Sequence, residues 1–335
     1  MLKLKYLFDN RDLVLMLLEN WEYDENALEM LDYYRISASA IYPYKNNGET
    51  FFLRFAPYDE KLESEIYEEI KFVQFLHKKG LDVLEPILSK SGKYLLNKST
   101  PWGNYLVCAS KRVAGDRLDG FGGDGIDYSD ELITGYGKAL GKLHKYSSQY
   151  EKVTKKTCFE MFNKMEYYIN NKINSKKEIL SKEIVEIKDY FKIIPQNGSN
   201  FGLIHGDFEL DNVFITKETK KYSVIDFGSS MYHWYAMDIE ITLNSLKEEI
   251  PQNDFEKMKA LFINGYKEEY PLNENELTLF PIFRRFENMR KYIGLNETLE
   301  EKWDNEPLWM IELRDHLNKH IEKLENSFEK QKTST

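Results

Sequence analysis

Cysteine is scarce in this sequence, which has only Cys108 and Cys158 in 335 residues. Two thiols cannot build a disulfide framework or a four-cysteine zinc site, and two reduced thiols are the simplest interpretation. Long hydrophobic runs are missing as well, because no uncharged stretch reaches the roughly 18 residues that a membrane-spanning helix needs. Polar residues at positions 9–12 interrupt the N-terminal apolar run and make it a poor signal peptide. We therefore expect a cytoplasmic protein without a membrane partner.

Basic residues are in the minority: 46 Lys and Arg face 56 Asp and Glu, which gives a net charge of −10. This balance argues against nucleic acid or an anionic membrane surface as the main partner. Hydrophobic residues make up 42% of the chain, which excludes a disordered or collagen-like protein. Internal repeats and Pro/Gly/Ser-rich linkers are absent, so the length predicts one large domain or two lobes around a shared cleft. Either a monomer or a homodimer is compatible with these features.

The first 110 residues have the pattern of short strands with one helix. Strand-like segments at 35–42 and 50–55, with an Asn-Gly turn between them, predict a hairpin. Apolar residues recur at helical spacing over 62–76 and predict an amphipathic helix. Two further strands are expected at 93–96 and 105–108.

The rest of the chain has a mostly helical pattern. In a helix predicted over 132–143, Gly137 and Gly141 would lower helix stability unless another element packs closely against them. Further helices are expected within 160–193 and 236–330, with a charged helix end at 318–335. One β-rich segment, residues 201–226, interrupts the helical part, and we call it the β-island.

The β-island carries the residues that point to chemistry. Two apolar strands flank the polar turn 217–220, which predicts a hairpin with a four-residue loop. Counting back along both strands places Asn212 opposite Ile225 or Asp226, at the open end of the hairpin. Amide and carboxylate oxygens side by side are ligands that Mg²⁺ takes together with substrate phosphates. Asp207 precedes Asn212 in the loop that enters the hairpin, where it can accept a proton from a hydroxyl nucleophile.

Other interpretations exist for the same residues. Any single Asp or Asn in a loop is usually a turn former or a helix cap. A calcium loop would use Asp207, Glu209, Asp211 and Glu218 as its first, third, fifth and twelfth positions, but Asn212 replaces its turn glycine and β-forming residues follow. A two-metal phosphoesterase needs further His and Asp clusters, which are missing from a chain with six histidines.

The motif His205-Gly206-Asp207, followed by Asn212 and by Ile225-Asp226-Phe227, resembles the signature of the aminoglycoside phosphotransferase and choline kinase superfamily. Residues 137–144 are similar to a Leu-Gly-x-Leu-His helix of that family, and residues 69–76 to the helix of its small lobe. The resemblance implies an α+β, protein-kinase-like fold with two lobes. Its implied parts are a β-rich nucleotide-binding lobe (1–108), a hinge (109–115) and a helical lobe with the catalytic loop and acceptor site (116–335).

The resemblance also implies roles for individual residues. Asp207 would be the catalytic base, and Asn212 and Asp226 would be catalytic residues that hold Mg²⁺. Arg54, on a small-lobe strand where better-known members have lysine, would contact the nucleotide phosphates and pair with Glu69. An arginine offers a planar fork of donors in place of a compact ammonium group.

Further implied roles concern the nucleotide and the support of the catalytic loop. The phosphates would lie under a loop that contains Ser37 and Ser39 and is not glycine-rich, unlike that of a typical protein kinase. The adenine edge would bind backbone groups of the hinge around Lys111 and Val113. Support of the catalytic loop is assigned to His205 and Asp238.

By this resemblance the protein is an ATP- and Mg²⁺-dependent phosphotransferase that moves the γ-phosphoryl group to a hydroxyl of a small molecule. The implied acceptors are aminoglycosides, choline or ethanolamine, homoserine and sugar-like compounds, and GTP is an alternative to ATP. A protein Ser/Thr kinase of the same fold and a catalytically inactive nucleotide-binding module are the other hypotheses. The presence of Asp207, Asn212 and Asp226 argues against the inactive module.

The helical part carries opposite signals about the acceptor. Its many aromatic and acidic side chains suit an amine or a quaternary ammonium group. A basic cluster suits a carboxylate or a phosphate instead. This cluster consists of Arg284, Arg285, Arg290 and Lys291. The charge of the acceptor is therefore open at this point.

Overall fold

A computed structural model describes residues 1–120, 128–151, 156–173 and 176–332. Its α-helices are α1 (Arg11–Leu18), α2 (Glu63–Lys78), α3 (Asp130–Ser147), α4 (Cys158–Lys172), α5 (Lys177–Ile193), α6 (Tyr235–Glu249), α7 (Gln252–Glu269), α8 (Glu274–Leu277), α9 (Phe280–Leu299) and α10 (Leu308–Lys332). Within these ranges no helix is long and apolar enough to cross a membrane. The charged helix end predicted at 318–335 belongs to α10 as far as Lys332, and residues 333–335 lie outside the described residues.

The strands are β1 (Arg35–Ile36), β2 (Ala40–Asn46), β3 (Glu49–Pro57), β4 (Asp82–Val83), β5 (Pro86–Ile87), β6 (Leu95–Thr100), β7 (Gly103–Lys111), β8 (Asp116–Arg117), β9 (Phe201–Ile204), β10 (Val213–Thr216), β11 (Lys221–Val224) and β12 (Met231–Trp234). Short 3₁₀ helices cover Leu4–Tyr6, Glu25–Asp32, Leu210–Asn212 and Phe227–Ser229. The β-rich beginning and the helical remainder confirm the predicted α+β class.

The N-terminal lobe is built on an antiparallel sheet with strand order β1-β2-β3-β7-β5, and β6 also pairs with β7. Strands β2 and β3 form the predicted hairpin, in which Asn46 lies opposite Glu49. Asn47 and Gly48 turn the chain with φ angles of 51° and 76°. This left-handed conformation is the one that an Asn-Gly turn adopts most easily.

Two predicted boundaries in this lobe differ from the structure. The strand expected at 35–42 is divided into β1 and β2, because the N–H of Ser37 donates to the carbonyl of Ser39 (3.0 Å) and the chain reverses there. Strand β7 continues to Lys111 in register with β3, beyond the strand end expected at residue 108. Strand ends depend on long-range pairing, which a local pattern does not reveal.

The helix predicted at 62–76 is confirmed as α2, which lies between the two lobes. Ile66 and Ile70 pack on Cys108 of β7. Phe72 and Leu76 belong to the hydrophobic core of the helical lobe. One helix therefore buries side chains against both lobes, which ties the sheet to the helical part.

The predicted close packing at Gly137 and Gly141 is confirmed. Helix α3 packs on α7 so closely that a Cβ atom at Gly137 would lie 2.0 Å from the carbonyl oxygen of Phe262. At Gly141 the corresponding distance to the carbonyl oxygen of Tyr266 is 2.7 Å. These glycines are present because any side chain would push the two helices apart.

The β-island lies within the helical lobe as two small sheets. Strand β9 pairs with β12 in antiparallel orientation. Strands β10 and β11 form the predicted hairpin, and the sheet is completed by β8 beside β10 and by β4 beside β11. The two-residue strands β4 and β8 were not predicted, because segments of that length carry no hydrophobic period.

The first residues of the chain contact the helical lobe. Leu4 is buried with Met310 and Leu317 of α10. Phe8 stacks on Trp303, with ring centroids 5.7 Å apart. The N-terminal lobe predicted at 1–108 therefore begins with a segment that packs on the C-terminal helices.

His233 of β12 is fully buried among aromatic rings. The ring centroids of Phe191, Phe283 and Phe286 each lie 5.2 Å from its imidazole. Its Nε2 has no hydrogen-bond partner among the described residues. Burial away from water lowers the pKa of His233 to about 3, since a charged imidazolium would be poorly solvated there.

The packing of α3 on α7 gives a first testable prediction. Gly137→Ala should destabilise the protein by about 1–3 kcal/mol, because overpacking forces the helices apart. Gly294→Ala in α9 is the matched control: no atom lies within 4 Å of its Cβ position, so it should stabilise by about 0.5–1 kcal/mol through helix propensity. Urea unfolding followed by circular dichroism measures both changes. Equal stabilities for the two variants would contradict the close contact.

His233 gives a prediction about acid stability. Its pKa is about 3 in the folded protein and about 6.5 when unfolded, so the stability linked to its neutral form is complete above pH 6.5 and is lost as the pH falls below that value. By pH 5 the loss should reach about 2 kcal/mol. His233→Phe should remove this component from the difference in unfolding free energy between pH 7 and pH 5, whereas His316→Phe, at an exposed position of α10, should not. The same pH dependence in His233→Phe and parent would disprove the assignment.

Candidate active site

The loop after β9 brings Asp207 and Asn212 together. Gly206 has a φ angle of 78°, and a Cβ there would lie 2.4 Å from the carbonyl oxygen of Ser229, so only glycine fits. The side-chain amide of Asn212 donates to the backbone carbonyl of Asp207 (2.9 Å) and to its carboxylate (3.2 Å). These two hydrogen bonds close the loop and hold the side chains of Asp207 and Asn212 next to each other.

The hairpin register places Asp226 beside this loop. Val213 pairs with Val224, and the N–H of Ile225 donates to the carbonyl of Asn212 (3.0 Å). Of the two predicted alignments, Asn212 opposite Ile225 or opposite Asp226, the structure has the first, and Asp226 follows directly at the open end of the hairpin.

Asp226 adopts a left-handed backbone conformation, with φ 59° and ψ 68°. Such a conformation costs a non-glycine residue roughly 1–3 kcal/mol. The N–H of Gly228 donates to the Asp226 carboxylate (3.4 Å) and offsets part of this strain. Backbone strain of this kind concentrates at functional sites, where it aims a side chain that a relaxed turn would direct elsewhere.

The donor set at the end of the hairpin fits Mg²⁺. The Nδ2 of Asn212 is committed to Asp207, which leaves the Oδ1 of Asn212 without a partner among the described residues. Asp226 supplies a carboxylate next to it. Within the described ranges, no three His, Cys, Asp or Glu side chains converge so that they could hold a metal by themselves. An ion bound here would therefore need the amide of Asn212 and oxygens from a bound phosphate, as Mg²⁺ commonly does.

A buried carboxylate holds the loop of residues 205–212, which we call the catalytic loop after the role that the resemblance implies. Asp238 is fully buried in α6 and accepts hydrogen bonds from the backbone N–H groups of His205 (2.7 Å) and Gly206 (2.8 Å). It also accepts one from the Nε2 of His144 (3.0 Å). Burial opposes ionisation, but these donors and the neighbouring His205 hold the pKa of Asp238 below its usual value. The location matches the predicted supporting position.

The ring of His205 connects the catalytic loop to the hairpin. Its Nε2 lies 2.9 Å from the carbonyl of Ile225, and its Nδ1 accepts the N–H of Asp207 (3.2 Å). An Nε2–H tautomer satisfies both bonds. His205 therefore fixes Asp207 relative to the residue that precedes Asp226, which is the bracing contact that the sequence predicts.

Arg54 and Glu69 form an ion pair at the edge of the site. The Nη1 of Arg54 in β3 lies 2.6 Å from the Oε1 of Glu69 in α2. The Oε2 of Glu69 is 3.9 Å from the position of a Cβ at Gly228, so the pair is adjacent to the Asp226 turn. Although burial opposes charge, Glu69 raises the pKa of Arg54 further above its usual value. The guanidinium group is thus a permanent cation next to the predicted metal ligands.

The other residues predicted to bind the nucleotide lie in the small lobe and in the predicted hinge. Ser37 and Ser39 are in the loop between β1 and β2. The ammonium group of Lys111 pairs with Glu49 (2.8 Å), and its backbone N–H already donates to Glu85 (2.8 Å). Lys111 is therefore a poorer donor for an adenine edge than predicted. Val113 follows β7 and is buried.

The basic cluster is neutralised by carboxylates. The guanidinium of Arg285 binds Glu183 through two hydrogen bonds of 2.7 Å. In the same way Arg290 binds Glu287 through two bonds of 2.7 Å. The other two pairs are Arg284 with Glu240 and Lys291 with Glu209. The cluster is therefore no free anion site, which the sequence could not show.

Asp207 is surrounded by opposing charges. Burial raises the pKa of Asp207 to about 6, Arg290 acts in the opposite direction, and the carboxylates of Asp226 and Glu287 reinforce the rise. Glu287 and Arg290 were not predicted as neighbours of Asp207. Their spacing of three residues indicates that they pair with each other on one face of a helix, but no sequence signal places them beside Asp207.

The comparisons with known proteins agree with this geometry. The profile of the "Phosphotransferase enzyme family" matches residues 33–272. A homoserine kinase from Caulobacter vibrioides is 36% identical over 93 residues, which are 28% of this chain and 29% of that protein. The chain thus aligns with less than a third of the length of this curated relative.

Two solved structures share the fold over nearly the whole chain. Amicoumacin kinase hAmiN, in complex with AMP-PNP, Ca²⁺ and Ami, has a TM-score of 0.73 at 18% identity, with 95% of each chain covered. A microcompartment-associated aminopropanol kinase has a TM-score of 0.69 at 15% identity, also with 95% of each chain covered. Identities this low establish the fold, which is the predicted kinase-like one.

The buried carboxylate of Asp238 gives the prediction for this site. Asp238→Asn should destabilise the protein by about 3–5 kcal/mol, because an amide can accept only part of these bonds and aims its NH₂ at other donors. Asp189→Asn, at an exposed position of α5, is the control and should change stability by less than about 0.5 kcal/mol. Thermal and urea unfolding measure both variants. A stability of Asp238→Asn equal to that of the parent would show that the carboxylate does not hold the loop.

Proposed function

Because the chain belongs to the phosphotransferase enzyme family, we propose that it transfers the γ-phosphoryl group of ATP, bound with Mg²⁺, to a hydroxyl group of a small molecule. The observation that carries this proposal is the meeting of Asp207, Asn212 and Asp226 at the open end of the β10–β11 hairpin. Asp207 lies in the loop after β9, Asn212 directly precedes β10 and Asp226 follows β11, and this arrangement suits the needs of phosphoryl transfer.

Each residue of the site has a distinct task in this reaction. Asp207 accepts the proton of the acceptor hydroxyl as its oxygen bonds to the γ-phosphorus, while the bond from that phosphorus to the β–γ bridging oxygen breaks and ADP leaves. Asn212 and Asp226 hold Mg²⁺, which when bound neutralises charge on the nucleotide phosphates. Arg54, oriented by Glu69, donates to the phosphates from the small lobe. Catalysis of this kind depends mainly on positioning and charge stabilisation.

The nucleotide would lie between the two lobes. We assign the adenine edge to backbone groups next to Val113, because the N–H of Lys111 is already engaged with Glu85. The loop with Ser37 and Ser39 would cover the phosphates with hydroxyl and N–H donors. We propose ATP as the nucleotide, with GTP as the alternative to be compared in the same assay.

For the acceptor we propose an alcohol that also carries an amine. Asp211 and Asp226 contribute negative charge around Asp207. The nearby Glu287 and Glu209 are the carboxylates that pair with Arg290 and Lys291. Arg290 and Lys291 are paired with carboxylates and so do not form a free anion site. Carboxylates that surround a reacting hydroxyl suit an ammonium group on the same molecule. The names of the homoserine and aminopropanol kinases, whose acceptors are amino alcohols, support the same class.

The proposal predicts a separation of turnover from nucleotide binding. Asp207→Ala should lower kcat by about 10²–10⁴, the usual contribution of a general base, while the affinity for nucleotide stays within about twofold of the parent. Glu218→Gln, in the exposed turn of the same hairpin, is the matched control and should keep parental activity. A coupled ADP-release assay and isothermal titration measure the two quantities. Unchanged turnover in Asp207→Ala would disprove the assignment.

The assay should compare amino alcohols, choline, aminoglycosides, homoserine and simple sugars as acceptors, each with ATP and with GTP. Turnover of amine-bearing alcohols above that of neutral sugars supports the proposed acceptor class. Phosphate found on added proteins by mass spectrometry, with no small-molecule turnover, would favour a protein kinase instead.

A further inference from the structure

Lys156 reaches from the segment before α4 to the turn that carries Asp226. Its Nζ donates to the carbonyl of Gly228 (2.9 Å). Its backbone is held as well, because the N–H of Tyr232 donates to the carbonyl of Lys156 (2.9 Å), and Thr157 forms a β-bridge with Tyr232. A side chain that leaves from a fixed backbone loses little freedom when it binds.

The next residue, Thr157, begins α4 with a capping box. Its side chain accepts the N–H of Glu160 (3.1 Å), and the Glu160 carboxylate accepts the N–H of Thr157 (3.1 Å). Two backbone groups at the start of α4 are thereby satisfied. The start of the helix and the β-bridge together fix the backbone that directly follows Lys156.

The turn that Lys156 contacts is strained and needs contacts on both sides. Asp226 is left-handed, with a φ angle of 59°. On the inner side, the buried ring of Phe227 packs against His205 (4.7 Å) and Phe72 (5.7 Å). On the outer side, the carbonyl of Gly228 is bound by Lys156. The ammonium group of Lys156 therefore restrains the outer side of the turn, and the ring of Phe227 restrains its inner side.

The ammonium group also faces the acidic side of α2. A small cavity is lined by Glu65, Glu68 and Glu69 together with Lys156 and Gly228. Glu69 is the partner of Arg54, and its second oxygen approaches Gly228. Burial lowers the pKa of Lys156, and Glu65 and Glu69 oppose that effect. The ammonium group of Lys156 thus lies close to both the glutamates of α2 and the Asp226 turn.

We propose that Lys156 is a positioning residue, which holds the Asp226 turn against the Arg54–Glu69 pair and thereby keeps the Asp226 carboxylate aimed at Mg²⁺. Lys156 does not touch the reacting atoms, and its effect passes through Gly228. This inference rests on the proposed function, because it assumes that Asp226 binds the metal of a metal–nucleotide complex.

Two measurements on the full-length protein test this role. The first is the ratio of the dissociation constants for ADP in EDTA and in Mg²⁺, obtained by isothermal titration. Lys156→Met should lower this ratio roughly tenfold, the effect of one charged hydrogen bond, and leave the constant in EDTA within about twofold of the parent. The second is amide hydrogen exchange at Gly228 and Ser230 without any ligand, which should be faster in Lys156→Met than in the parent.

Control variants separate positioning from folding. Lys156→Arg keeps a charged donor and should recover most of the parental ratio. Lys156→Gln has a shorter, neutral side chain and should lower the ratio as Lys156→Met does. It replaces Lys156→Met in the test if that variant does not fold. Lys164→Met, at an exposed position of α4, should behave as the parent. Asp226→Ala defines the complete loss of Mg²⁺ dependence.

The outcomes distinguish this inference from the proposed function. An unchanged ratio and unchanged exchange in folded Lys156→Met or Lys156→Gln, with a parent that depends on Mg²⁺, would overturn the role of Lys156 alone. A parent whose ADP binding does not respond to Mg²⁺ would overturn the proposed function and the role of Lys156 with it. A lower ratio with rescue by arginine supports both.

Discussion

The carboxylate of Asp238 is the interaction on which the rest of the site depends. It accepts the N–H groups of His205 and Gly206 and the ring of His144, all without contact to water. Because a buried charge is tolerated only when its donors stay in place, the catalytic loop has one permitted position relative to α6. The ring of His205 then carries this constraint to Ile225 and so to Asp226. The three side chains to which we assign the proposed function are thereby positioned by one buried anion.

A second set of contacts connects the small lobe to the same point. Helix α2 packs on the sheet and on the helical core, and it presents Glu69 both to Arg54 and to the Asp226 turn. Lys156 approaches that turn from the helical lobe. The strained backbone of Asp226 is stable because its neighbours on both lobes restrain it, which is how proteins usually maintain such conformations. Nucleotide binding and metal binding are therefore expected to depend on each other through this turn.

The charges of the helical lobe explain why composition was a poor guide to the acceptor. The net charge of −10 and the basic cluster gave opposite indications. In the structure, each member of the cluster pairs with a carboxylate, for example Arg285 with Glu183 (2.7 Å). Such pairs cancel locally, and the carboxylates of Glu287 and Glu209 near Asp207 are themselves members of these pairs. The charge that remains unpaired at a site, and not the number of basic residues in the sequence, determines which ligand is attracted.

The sequence by itself determined the α+β class, the amphipathic helix α2 and the presence of the β10–β11 hairpin, and it restricted the hairpin register to two possibilities, because strand period and turn length limit which residues lie opposite each other. It also indicated Asp207, Asn212, Asp226 and their support by Asp238 through motif spacing. Only the tertiary structure decided the contact of Lys156 with Gly228, the pairing of the basic cluster and the short strands β4 and β8. These features join residues far apart in the chain, such as Arg285 and Glu183, which are 102 positions apart. Their contacts depend on how helices and sheets pack, and no local pattern contains that information.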